Sequence, residues 1–364
     1  LSRYMYYLIF VTMVANIIAT VPRILVIESK NGVIFSMIAA LFVGVIFTYF
    51  VILFFNKFSG QSFPEILKKY TSKWFYIPVI VYFAFSWFLA GTITLITYVF
   101  LFTTFVSLET PLITTTLAFV IIVSFGMLMK SESVLFTLEI VFVLLLPILI
   151  FLFVKIITDS NLEWNFVQVA MMNINISPSY RSFSAASYIF IGVVNIVIFN
   201  SFFKENLKFG FKQITIISTI GALVLFITYF IPIGFNGFEQ IEHMNFPWVS
   251  TSDSVRMKYG VIERLVFIFI IIFLGISFLS LLVHWHVSLK LFESIFHFNK
   301  LKWKNKNLTS YFFVVLFGAI SIYLVTKIDE FELFKYSSYF YNIFPLFYFI
   351  LFLSLFVAKR RAKV

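Results

Sequence analysis

The chain of 364 residues is 61% hydrophobic and 21% aromatic but only 12% charged, about half the charge of a water-soluble domain, which carries roughly 25%. That excludes a soluble enzyme, and it moves the net charge of +11 away from nucleic-acid binding to the loops of a polytopic membrane protein, where Lys and Arg face anionic lipid. The absence of cysteine excludes disulfides, thiolate nucleophiles and Cys-based zinc sites.

A helix crossing ~30 Å of hydrocarbon takes about 20 residues. Windows of that size predict an all-α integral membrane protein with ten spans at 4–27, 32–55, 74–106, 111–129, 133–157, 183–203, 211–236, 261–289, 308–326 and 337–358. The first lacks a small-residue cleavage site and is followed by many others, so it reads as a span and not a removable signal.

Span one contains "ANIIATVPR", with Asn16, Thr20, Pro22 and Arg23. Pro22 has no amide proton and crowds the turn before it, so the helical ladder must loosen. In lipid such a break is tolerated only beside protein or a wet cavity. The freed backbone at Ala15, Ile17 and Ala19, with the side chains of Asn16 and Thr20, is a candidate site for a small zwitterion. The alternative is a plain proline kink with Asn16 bonded to a neighbouring helix.

Span three carries the hydroxyl ladder Ser86, Thr92, Thr94, Thr97, Thr103 and Thr104. Tyr82 and Ser86 share a face that either walls a site or merely back-bonds to its own carbonyls. In span five Glu139 lies on the order of 10 Å inside the helix start. It either trades a proton or cation or pairs with Lys130 near the interface.

Span six holds "YIFIGVVNIVIFN", with Gly192, Asn195 and Asn200. This is an unwound, inward-facing turn or a packing notch with amides as interhelical glue. Span eight offers Ser277 and Ser280 as weak candidates for a sodium ion. His284 and His286 two positions apart point about 200° away from each other, so they make no joint metal face and read as an interfacial belt.

With the amino terminus placed in the cytoplasm, 18 of the 27 basic residues fall on one side. The other side collects most of the acids, including Asp159, Glu163, Glu239, Glu242, Asp253 and Glu330. Both termini are therefore expected in the cytoplasm. The halves 4–157 and 183–358 share a layout: an interrupted first span, a long third span, and a polar linker before it (56–73 and 237–260). Five spans per half put those linkers on opposite faces, the layout of an inverted 5+5 repeat within one polytopic domain, whose substrate site lies at the midplane where the two first helices meet.

This layout resembles the amino acid–polyamine–organocation superfamily with its LeuT-type fold, interrupted at helices one and six. Within it, the chain is similar to the spore germination permease family, the B subunits of Ger-type nutrient germinant receptors. The stretches that carry the likeness are "NFPWVSTSDSVRMKYGVIERLVFIFIIIFLGISFLSLLV" (245–283), with Val261, Ile262 and Glu263 at the helix start, "MLMKSESVLFTLEIVFVLLLPILIFLF" (127–153), and the first helix with its late Pro22. Ala15, Asn16 and Ile17 stand where the family usually has a Gly-Thr/Ser break, and Val193, Val194 and Asn195 follow Gly192 where an acid is common.

The resemblance implies a subunit that recognises an amino acid or similar small nutrient in the spore inner membrane, beside an A subunit and a lipoprotein C subunit. No organic cofactor is implied, and a proton or sodium ion is the candidate coupling partner. An amino acid transporter coupled to either ion is the competing reading. An intramembrane enzyme lacks its motifs: there is no His-Glu-x-x-His, no Gly-x-Ser-x-Gly and no intramembrane Asp pair.

Overall fold

The computed structural model describes residues 2–175, 177–205, 207–257, 260, 262–296, 302–303 and 306–362; Val261, part of the family-like helix start, lies outside them. The described chain is helical: α1 (Ser2–Ala15), α2 (Thr20–Ile27), α3 (Val33–Asn56), α4 (Phe63–Tyr70), α5 (Lys73–Phe105), α6 (Leu112–Met127), α7 (Ser131–Ile157), α8 (Trp164–Met171), α9 (Tyr180–Tyr188), α10 (Ile196–Phe199), α11 (Phe211–Asn236), α12 (Pro247–Ser254), α13 (Leu265–Ile295), α14 (Thr309–Lys327) and α15 (Glu330–Ala362). A two-residue ladder, Lys302–Trp303 with Lys306–Asn307, links α13 to α14.

Among the described residues, eight helical segments are long and apolar enough to cross a membrane, and the bent pair α1–α2 adds a ninth. The helix expected at 111–129 is α6, with 16 residues. At 1.5 Å per residue it reaches about 24 Å, short of a full hydrocarbon core.

Burial separates the bundle's centre from its rim. Over their apolar 18-residue stretches, 94% of Tyr180–Phe202 and 67% of α13 are buried, whereas for α7 the share is only 22%, and α7 turns Ile140, Leu144 and Phe151 outward. A helix that is apolar on every side but buried on one belongs against lipid. α5 and α13 run antiparallel at the centre. Ser288 Oγ donates to the Ala84 carbonyl at 2.7 Å, and Trp285 Nε1 to that of Phe88 at 3.3 Å.

The connections sort to two ends. At the end holding the amino terminus, Arg3 meets Glu139, Asn56 meets the backbone of Leu207, and Lys68 meets the Ser294 carbonyl. At the opposite end Glu28 pairs with Arg181, Lys30 with Glu239, and Asn245 with Glu330. Each of the two polar linkers contains a short helix, α4 at the first end and α12 at the second. Local chemistry starts both. Ser62 and Glu65 form a capping box with Pro64 in the first turn of α4, and Pro247 opens α12.

Candidate functional site

Span one breaks just before its proline. In an unbroken helix the nitrogen of Pro22 would face the Ile18 carbonyl with no proton to give, and its ring would collide there. The chain instead leaves the helix after Ala15 and restarts at Thr20, bent by 54°, which puts Pro22 in the first turn of α2, where its missing N–H costs nothing. Asn16 closes the end of α1. Its backbone N–H (3.2 Å) closes the last regular helical bond to the Thr12 carbonyl, and its side-chain Nδ2 (2.8 Å) gives the same carbonyl a second donor.

Ala15, Asn16, Ile17, Ala19 and Thr20 are at most 6% exposed, so the break is closed to solvent in this conformation. The hydroxyls of Thr20 and Tyr341 are 2.5 Å apart, and this ties the restart to α15.

Span six is continuous where an unwound turn was expected. Residues Ile189–Asn195 wind as a 3-10 helix between α9 and α10. The β-branched residues there dislike the α-helix, and Asn195 Nδ2 donates to the Gly192 carbonyl three residues back at 3.1 Å, which favours the tighter winding.

Gly192 is placed against the backbone of α1. A Cβ added there would lie 2.5 Å from the Leu8 carbonyl and 2.8 Å from Ile9 Cα. The span's other anchor is Phe190, whose ring fills the notch left by Gly44 of α3 and Gly221 of α11. Asn195 is fully buried and accepts from Trp87 Nε1 at 2.7 Å.

The residues singled out in the sequence therefore fall into three places: the break itself, the Gly192 contact with the middle of α1, and the Tyr82–Ser86 turn of α5. Ser86 back-bonds to the Tyr82 carbonyl at 2.8 Å. A column of rings connects the first place to the third. Tyr341 lies 4.3 Å from Tyr188, Tyr188 5.4 Å from Phe344, Phe344 5.0 Å from Phe347, and Phe347 4.9 Å from Trp87. Three of these rings come from α15, where 341, 344 and 347 recur at helical spacing. That periodicity was in the sequence, but a span already rich in aromatics hid it.

Of the coupling candidates, Glu139 is held by Arg3, Oε1 to Nε at 2.9 Å and Oε2 to Nη2 at 3.2 Å, at the bundle's amino-terminal end. Ser277 Oγ is buried, and its hydrogen-bonding neighbour is the equally buried Tyr98 OH on the facing helix α5. Ser280 lies 3.4 Å from His284 Nδ1.

The two histidines correct the belt assignment, because both are at most 1% exposed. His286 Nδ1 donates to the Met127 carbonyl at 2.9 Å, which leaves its Nε2 to accept from the Ser131 hydroxyl at 2.7 Å. His284 Nδ1 likewise donates to the Ser280 carbonyl at 2.6 Å.

Among the described residues, clefts open at both ends of the bundle. One of about 620 Å³ lies at the amino-terminal end beside Tyr6, Lys204, Lys208 and Gln213, and one of about 460 Å³ lies at the opposite end beside Phe246, Asp253, Arg264 and Glu330. Neither is lined by residues of the break or by Gly192 or Asn195.

No curated protein matches the chain. A sequence model of the family described as spore germination protein matches residues 2–330, from α1 to the first residue of α15. That match covers the broken span, the 3-10 span and the buried helices between them, and by it the chain belongs to the spore germination permease family.

Proposed function

We propose that this chain is the germinant-binding, amino acid permease-like subunit of a spore nutrient germinant receptor, taking an amino acid or similar small nutrient at the broken first span. It works as one polytopic domain of ten crossings, α6 among them, in a 5+5 inverted repeat of the LeuT type. Both termini lie in the cytoplasm, and the chain sits in the spore inner membrane with an A subunit and a lipoprotein C subunit. Family membership carries the reading, and the break whose freed backbone faces the protein interior supports the site. The sorting of connections to two ends and the matched short helices α4 and α12 support the repeat.

In the conformation described the break is closed, so binding must select a state in which it opens; a ligand that favours neither state changes nothing. The test is ligand-dependent stabilisation of the purified chain in lipid nanodiscs across the common amino acids and uncharged sugars, with labelled uptake into proteoliposomes measured in parallel. Stabilisation without uptake is expected of a receptor. Concentrative uptake driven by a proton or sodium gradient makes the chain a coupled transporter, and no stabilisation by any compound removes the ligand-binding role.

A further inference from the structure

Arg23 stands one turn past the break, in α2, and is only 8% exposed. A buried guanidinium ordinarily has a carboxylate, because burying a charge without one is costly. Among the described residues Arg23 has none. Its Nη1 donates to the backbone carbonyl of Glu242, and its Nε is buried with no partner. The Glu242 carboxylate is turned away, toward Lys30 at 3.5 Å and His243 at 3.8 Å.

At Arg23 the field of a second cation, Arg181, is partly offset by that of the Glu242 carboxylate; the charge of Arg181 is itself taken by Glu28 at 3.2 Å while its Nε donates to Ser338 at 2.7 Å. The acids nearby are thus engaged elsewhere. The guanidinium keeps the planar fork that binds carboxylates with two parallel bonds, and a main-chain carbonyl half-fills it.

That carbonyl belongs to the linker between α11 and α12, which covers α2 from the end opposite the amino terminus. Its outer side forms part of the 460 Å³ cleft through His243, Met244 and Phe246. Lys30 holds the linker down through Glu239 at 2.8 Å as well as through Glu242. The segment therefore separates an open cleft from a buried cation that, among the described residues, has no carboxylate in direct contact.

We propose that Arg23 binds the carboxylate of the incoming nutrient, that the Glu242 carbonyl holds its place in the closed state, and that the 240–246 segment pinned by Lys30 is the lid that moves. The proposal rests on the nutrient-binding role above and narrows it to carboxylate-bearing compounds.

The experiment uses the full chain in nanodiscs with the twenty common L-amino acids, the primary carboxamide of any that stabilises it, and uncharged sugars as probes. An amino acid is expected to bind, its carboxamide to lose roughly 30-fold or more in affinity, and Arg23→Gln to lose a similar factor. Arg23→Lys should fall between, which separates lost charge from lost folding. Lys30→Gln, at a half-exposed position where folding is not at stake, should raise the association rate several-fold.

Equal binding of acid and carboxamide, or binding only of a sugar, overturns the carboxylate assignment and leaves the nutrient-binding role standing. An unchanged association rate in Lys30→Gln overturns the lid, and no binding by any probe overturns both the inference and the role it rests on.

Discussion

The first and sixth spans carry similar ingredients, a small or flexible element and amides in the middle of an apolar run, yet they end in different states. In span one a proline removes a donor, and the helix opens between Ala15 and Thr20 with its ends capped by Asn16 and tied off by Tyr341. In span six no donor is missing, so the same pressure from an amide and β-branched residues tightens the coil into a 3-10 run without opening it. A missing donor alone does not open a helix here, since Pro78, Pro147, Pro232 and Pro345 sit inside unbroken ones; in span one it coincides with the ties at Asn16 and Tyr341, whereas in span six a competing side chain only rewinds the coil. The freed backbone of a binding site is therefore expected from span one, and span six serves as the packed wall that α1 leans on.

The sharpest way to break this comparison is at Gly192. With the α1 backbone 2.5 Å from where a Cβ would sit, no side chain can swing aside, and Gly192→Leu is expected to abolish the monodisperse folded protein. Even Gly192→Ala should cost about 1–3 kcal/mol by overpacking, read as a lower melting temperature in detergent. A variant that folds and melts as the parent does would mean that α1 is free to move away from span six, and the packed-wall role would be lost.

Next in size is Asn195. Asn195→Leu strands the buried indole N–H of Trp87 and should cost about 1–3 kcal/mol. Removing both partners in Asn195→Leu with Trp87→Phe should recover most of it, because replacing both partners is nearly neutral. Simple addition of the two losses would show that the 2.7 Å contact is not what holds α5 to span six.

How much of this was legible beforehand follows from the range of each cause. Pro22 acts on the residue four before it, so the break could be read from nine letters. The tight winding of span six depends on Asn195 bonding locally to Gly192, also within reach of the sequence, but whether Gly192 faces a ligand or a helix depends on Leu8 and Ile9, far away in the chain. The same holds for Asn195 and Trp87, which are 108 positions apart. His284 and His286 were misplaced because α13 runs to Ile295, 31 residues in all, so the apparent end of the span is still inside the bundle. Arg23 was visible as a letter, but its missing carboxylate is a property of three other segments.

Pro22→Ala addresses the cause of the break and should change stability by less than the two changes above. The substitution restores an N–H for the Ile18 carbonyl and removes an interior penalty of about 3 kcal/mol from the unbroken form. Amide exchange across residues 16–21 should slow if the proline sets the bend. Unchanged exchange would assign the bend to the ties at Tyr341 and Glu242, and the contrast with span six would then rest on tertiary contacts.

Glu139 should give the smallest effect, and it tests whether the open span depends on a distant charge. Its partner Arg3 is 63% exposed, so solvent and salt screen the pair and Glu139→Gln should cost only ~0.2–1 kcal/mol despite the two-point geometry. The pair joins the first turn of α1 to α7, and α1 reaches the break about three turns later. If it only fastens the end of α1, the variant will bind nutrient with unchanged affinity and an unchanged pH profile, and its small melting shift will vanish in high salt. A pH profile that flattens in Glu139→Gln would instead make this carboxyl part of the ligand response, coupled to the break through α1 as a rigid rod.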